Sequence, residues 1–184
     1  MPLIDPKPPT PVVNAFKRGL EQMVQMDRAP AGLVAWMVQR VFVLTLSDVA
    51  RGNVLDGVRP VLWRFVAGSC RGPAVAIAIP APSRGRRPRM TSLETGGGIK
   101  KSFLEVETIK HLPDVRRRDY ELRRLKLPGI IGVFWLAPQD DSDAHLMIPY
   151  ASVVPGLTGK KPYTMKTFLA RVRPIAQKRL EGVK

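Results

Sequence analysis

Cysteine is almost missing from this 184-residue chain. Cys70 stands alone, so no intramolecular disulfide can form and a disulfide-stapled scaffold is excluded. Histidine is nearly as scarce. His111 and His145 lie far apart, and neither has a cysteine or histidine at ligand spacing, so no zinc site is readable and no metal or other cofactor is expected. Carboxylates are few, 15 Asp+Glu against 30 Lys+Arg. A long uninterrupted apolar run is also lacking. The nearest approach, residues 31–50 (AGLVAWMVQRVFVLTLSDVA), carries Gln39 and Arg40 at its centre and Asp48 near its end. A central arginine costs about 2.5–3.5 kcal/mol on insertion, so no membrane span is expected. The first residues, MPLIDPKPPTPVV, have no basic stretch leading into an apolar one, which argues against a secretory signal. A cytoplasmic protein is the resulting expectation.

What remains is a basic globular composition. Hydrophobic residues make up 45% and charged residues 24%, enough for a core and too little polarity for general disorder. The net charge of +15 and pI near 10.8 point to a polyanionic partner. Residues 61–128 hold 15 Lys+Arg against 6 Asp+Glu, so the middle of the chain is its basic centre.

Proline punctuation sets off residues 1–10 as an extended tail, leaving 11–184 as a single α+β domain with a basic loop at 81–101. Thr10 and Pro11 open an amphipathic helix that ends before Pro30. The apolar segment 31–50 reads as a second helix, able to dock on a protein partner. Strands are predicted over 59–67, 73–80 and 102–110, a helix from Asp114 to about Lys126, and strands over 130–136 and 144–154. Pro149 marks the last of these as an edge or a bulge. A final helix starts near Thr164, with Pro174 expected to kink or split it. The order is ααβββαββα: one mixed sheet of about five strands, two N-terminal helices, a middle helix and a C-terminal helix.

The chemistry-bearing residues are mostly cations. Ser83 to Met90 reads SRGRRPRM and is followed by Gly96-Gly97-Gly98 and Lys100-Lys101. Arginine offers a planar fork matching phosphate oxygens, and a Gly/Pro-rich loop lets backbone follow a ligand surface. Arg84, Arg86, Arg87, Arg89, Lys100 and Lys101 therefore form the first candidate contact set. Arg116, Arg117, Arg123 and Arg124 on the predicted middle helix, several on one face, form the second. Lys160 and Lys161 in a late loop add a third. The stretch TGGGIKKS (Thr95 to Ser102) lacks the glycine a phosphate-binding P-loop places before its Lys-Ser pair, and the strand predicted after it offers no helix N-terminus.

Glu105 and Glu107 fall on one face of the predicted strand 102–110, with Lys110 three residues on. The predicted order helix–strand–strand–strand–helix–strand over 31–137 is similar to the core of the restriction-endonuclease-like nucleases. That resemblance implies a metal site on the third strand, where a (D/E)xK motif sits. Here the motif position reads Glu105-Val106-Glu107, without its lysine, and the strand over 73–80 has no acidic residue. Ion pairing of these glutamates with nearby arginines is the plainer expectation. Cys70 has Arg71 beside it but no base in view, Asp140-Asp141-Ser142-Asp143 reads as a polar turn, and Trp36, Trp63 and Trp135 as core.

The sequence thus predicts a non-enzymatic protein that contacts DNA or RNA backbone through a basic surface, within a larger assembly, with no catalytic residue and no metal. The first alternative is a structural or interaction subunit, of a virion or secretion apparatus, whose basic surface meets acidic protein. The second is a metal-dependent nuclease of the resemblance above, or an inactive relative.

Overall fold

The computed structural model describes residues 3–29, 32–52, 58–68, 74–83, 85–140, 143–159 and 161–182. Its elements run α1 (Thr10–Gln25), β1 (Val34–Val43), α2 (Leu46–Arg51), β2 (Leu62–Gly68), β3 (Ala74–Pro80), β4 (Ser92–Thr95), α3 (Gly97–Lys110), a 3-10 turn (Val115–Arg117), β5 (Tyr120–Leu127), β6 (Ile131–Pro138), β7 (Leu146–Ser152), β8 (Tyr163–Thr164) and α4 (Met165–Glu181). The chain is α+β with four α-helices and one mixed sheet, but the sheet has eight strands, in the order β4-β3-β2-β1-β5-β6-β7-β8. Two compact units divide the chain: one from residues 5–40 and 61–111, the other from 1–4, 41–60 and 112–184.

Three predicted elements are corrected. Residues 31–50 are not a helix: β1 occupies 34–43, and a short helix, α2, follows. Met37, Gln39 and Val41 are buried, while Trp36, Val38 and Arg40 on the other parity are half-buried and Phe42 is buried. A central strand covered on both faces has the same apolar density as a buried helix, and the β-branched content (Val34, Val38, Val41, Val43) decides for strand. Thr45 then caps α2 in a reciprocal capping box with Asp48, which ends β1 and restarts the chain as helix. Two hydrogen bonds from Thr45 hold the Asp48 carboxyl below its ordinary range.

Residues 102–110 form the body of α3 rather than a strand. Ile99, Ser102, Val106 and Ile109 are its buried residues, a helical spacing that starts inside the glycine triplet. Residues 114–126 are a 3-10 turn and a strand rather than a helix. β5 pairs with β6 along its full length, with Arg123 opposite Trp135 and Arg124 opposite Phe134. Smaller differences are that α1 starts at Thr10 with Pro9 at its cap, and that α4 is continuous through Pro174.

In the 5–40/61–111 unit, α1 lays Val12, Ala15 and Phe16 on the Trp63, Phe65, Val75, Ile77 and Ile79 face of β2 and β3. Phe16 stacks on Phe65 with ring centroids 4.4 Å apart. The opposite parity of β2 faces α3: Gly68 lies under the Trp36 ring, and Trp36 meets Phe103 of α3 at 5.0 Å. In the other unit, Phe168, Val172 and Ala176 of α4 pack with Phe42, Leu125, Val133 and Trp135. The expected irregularity at Pro149 is a β-bulge. Gly132 pairs with Ala151 and Val133 with Pro149, leaving Tyr150 as the extra residue.

Candidate nucleic-acid interface

β3 and β4 are antiparallel neighbours, and the segment between them carries the arginine run. Gly85, at φ +77°, makes a tight turn in which Arg86 donates its N–H to the Ser83 carbonyl at 3.1 Å. At the far end Thr91 donates both its N–H (3.0 Å) and its hydroxyl (3.1 Å) to the Ala78 carbonyl. Met90 is seated against α1 at Gly19. Between these anchors Arg86, Arg87 and Arg89 are exposed; Arg84 lies outside the described residues.

β4 leads directly into α3 through Gly96, whose φ of +106° suits a glycine at this turn. No side chain caps the helix, and its first turn has no acidic residue. Instead Gly97 and Gly98 open onto empty space and Lys100 and Lys101 are exposed. The helix N-terminus that the sequence reading denied to this segment is therefore present. Its unpaired N–H groups and dipole add positive potential to that of the lysines. The one carboxylate of β4, Glu94, is drawn toward Arg64, which donates to it at 3.3 Å from a nearly buried position. Arg86, Arg87, Arg89, Lys100 and Lys101 have no ion-pair partner among the described residues, and all five belong to one unit.

The second set is dispersed. Arg116 and Arg117 are exposed on the 3-10 turn, where Arg117 lies 3.9 Å from Asp114. Arg123 and Arg124 are neighbours on a strand and so point to opposite faces. Arg123 grips Glu121 with two 3.1 Å bonds and lies over the Trp135 ring at 4.6 Å. Arg124, 7% exposed, lies over Tyr150 at 4.8 Å and Phe134 at 5.1 Å. These two guanidinium groups bind the sheet together by cation–π contact and are not surface cations. The shared helix face predicted for Arg116, Arg123 and Arg124 does not exist. Of the third set, Lys161 is exposed, 5.9 Å from the Tyr163 ring, and Lys160 lies outside the described residues. Tyr163 fixes that loop by accepting the Thr158 N–H and donating to the Gly156 carbonyl, and the bonds from Thr158 lower the phenol's pKa.

Glu105 and Glu107 stand on α3, where two residues of separation turn them roughly 200° apart, so they do not converge. Glu107 instead pairs with Lys110 at 2.6 Å. The strand that carried the nuclease resemblance is absent, and among the described residues no three His, Cys, Asp or Glu side chains gather into a metal site. Cys70, Asp141 and Ser142 lie outside the described residues.

His145 is half-buried. Trp135 donates its indole N–H to His145 Nδ1 at 3.2 Å. Burial first, and the Arg123 charge second, hold the imidazole below its ordinary range, with Asp143 acting the other way. Because the folded pKa is depressed, protonation favours the unfolded chain. Stability should fall as pH drops below about 6.5, where an unfolded histidine begins to charge. Melting temperature measured from pH 7.5 to 5 should show this slope, and His145→Gln should flatten it while retaining an acceptor for Trp135.

Sequence reasoning passed over one cationic element. α4 exposes Lys166, Arg171, Arg173, Lys178 and Arg179 and carries a single carboxylate, Glu181. The signal was in MKTFLARVRPIAQKRLE, where five cations interleave with the apolar residues that the core takes. Comparison of the chain with protein-family models, with characterised proteins and with solved structures finds no match.

Proposed function

We propose that this protein binds nucleic-acid backbone, and that the segment from Arg86 to Lys101 is the principal contact. One observation carries the reading: among the described residues, five exposed cations without carboxylate partners lie in a single unit, two of them, Lys100 and Lys101, in the first turns of a helix whose N-terminus no side chain caps. Arginine forks suit phosphate oxygens, the glycine turn admits close backbone approach, and the α3 N–H groups can accept an oxyanion. Such contacts position the protein on a polymer and read little of its sequence. The whole-chain charge of +15 adds long-range attraction.

Anisotropy titration of mixed-sequence oligonucleotides against potassium chloride tests the reading. If about five phosphates are neutralised, log K should fall with log salt at a slope near −4. Absence of binding to both DNA and RNA at low salt would remove the proposal and leave an acidic protein as the partner of choice.

A further inference from the structure

We propose that α4 lies in the major groove of B-form DNA, with Lys166 and Arg173 on one flanking backbone and Arg171 and Lys178 on the other. The inference rests on the nucleic-acid reading above and specifies its substrate as duplex DNA.

The geometry follows from helical spacing. Phe168, Val172 and Ala176 are buried and fix the inward side of α4. At about 100° per residue, Lys166 and Arg173 stand within roughly 20° of one another, and so do Arg171 and Lys178. The two pairs form rails about 140° apart on the solvent side, each spanning about 10 Å along the axis. That span equals about three phosphates at 3.4 Å of axial rise per strand. Between the rails lie Thr167, Ala170, Pro174 and Gln177, all exposed. Beyond Thr167 in the first turn, two small side chains and one amide let the helix approach a groove floor closely. Glu181, the only carboxylate of α4, falls on this central strip in the last turn and so stays off both rails.

A helix with its side chains is about 10–12 Å across, and the major groove of B-DNA is about 12 Å wide. Cations on both flanks of such a helix therefore meet the two backbones that border the groove. The deep, narrow major groove of A-form RNA does not admit it. The arginines are also held in place before any ligand arrives. Arg173 donates Nε–H to the Ala50 carbonyl at 2.8 Å, and the Arg171 guanidinium rests beside Gly156. Pre-positioned side chains lose less freedom on binding.

The test compares a 20-base-pair DNA duplex, the RNA duplex of the same sequence and the single DNA strand, each at 0.1 M salt, with the full-length protein. Wild type should prefer the DNA duplex over the RNA duplex by at least tenfold. Lys166→Glu with Lys178→Glu, one change on each rail, should weaken the DNA duplex about 100-fold and the single strand less than threefold. Ala170→Trp, which fills the central strip without changing charge, should cost the duplex about tenfold and leave the single strand unaffected. Equal affinity for the two duplexes, or equal losses on duplex and single strand, would overturn the groove-binding inference and leave the broader reading standing. Failure of wild type to bind any of the three would instead remove that reading itself.

Discussion

The protein carrying Arg86→Ala, Arg87→Ala, Arg89→Ala, Lys100→Ala and Lys101→Ala is expected to bind mixed-sequence nucleic acid about 10⁴-fold more weakly than wild type at 0.1 M salt. The magnitude comes from counterion release: affinity referred to 1 M salt scales with the power of the salt concentration set by the number of phosphates neutralised, here about four. The salt slope should become shallower by about four units in the same experiment. Melting temperature should move little, because these side chains are exposed, lack carboxylate partners among the described residues and lie outside both cores. Affinity that survives with an unchanged slope would place the interface elsewhere. A large fall in melting temperature would make the run structural.

Arg123 and Arg124 supply the contrast. Arg124→Ala should destabilise the fold, because its guanidinium fills the space between Phe134 and Tyr150. The sequence offers no way to separate these two arginines from the run at 86–89. Both sets look like charge clusters, and only the aromatic residues brought alongside by β6 and β7 turn Arg123 and Arg124 inward. Exposure of charge is a tertiary property. The cationic composition of the two clusters was readable, and which of their side chains stay exposed was not.

The fold divides in the same way. α1, β2, β3, β6, β7 and α4 follow from local pattern, since each has a clear period or a short apolar run between breakers. The three misread segments are those in which pattern is ambiguous or masked. β1 is covered on both faces and loses its alternation. β5 buries charged residues, so YELRRLKL resembles the solvent face of a helix. α3 begins within a glycine triplet that reads as loop, and its nine residues 102–110 alternate well enough to pass for a strand. Beside the β-branched content of 34–43, the Thr45-Leu46-Ser47-Asp48 capping box is a local cue that 31–50 is not a single helix. Moving α3 from strand to helix changes the functional reading most. It separates Glu105 from Glu107, and it places a helix N-terminus behind the glycines.

Gly68→Ala is expected to lower stability by about 3 kcal/mol, the upper range for a side chain forced into a filled site. A methyl group at this position would stand 2.2–2.6 Å from three ring carbons of Trp36. Any shift of the indole away from this methyl group disturbs its contact with Phe103 of α3, whose ring centroid lies 5.0 Å away. For a chain of this length the loss corresponds to a fall in melting temperature of about 10 °C. A double-mutant cycle isolates the cause. On a Trp36→Leu background, already destabilised by the lost ring, the same Gly68→Ala change should cost less than about 1 kcal/mol, giving a coupling energy near 2 kcal/mol. The strain should also reach the interface. Trp36 meets Phe103, and Phe103 lies one turn beyond Lys100, so displacing the indole should tilt the helix whose N-terminus is proposed above as a phosphate contact. Gly68→Ala should therefore weaken nucleic-acid binding several-fold with every cation still in the chain, whereas Trp36→Leu with Gly68→Ala should recover part of that loss. Equal destabilisation by Gly68→Ala in both backgrounds would show that the close approach of Trp36 to this backbone is not what makes glycine necessary.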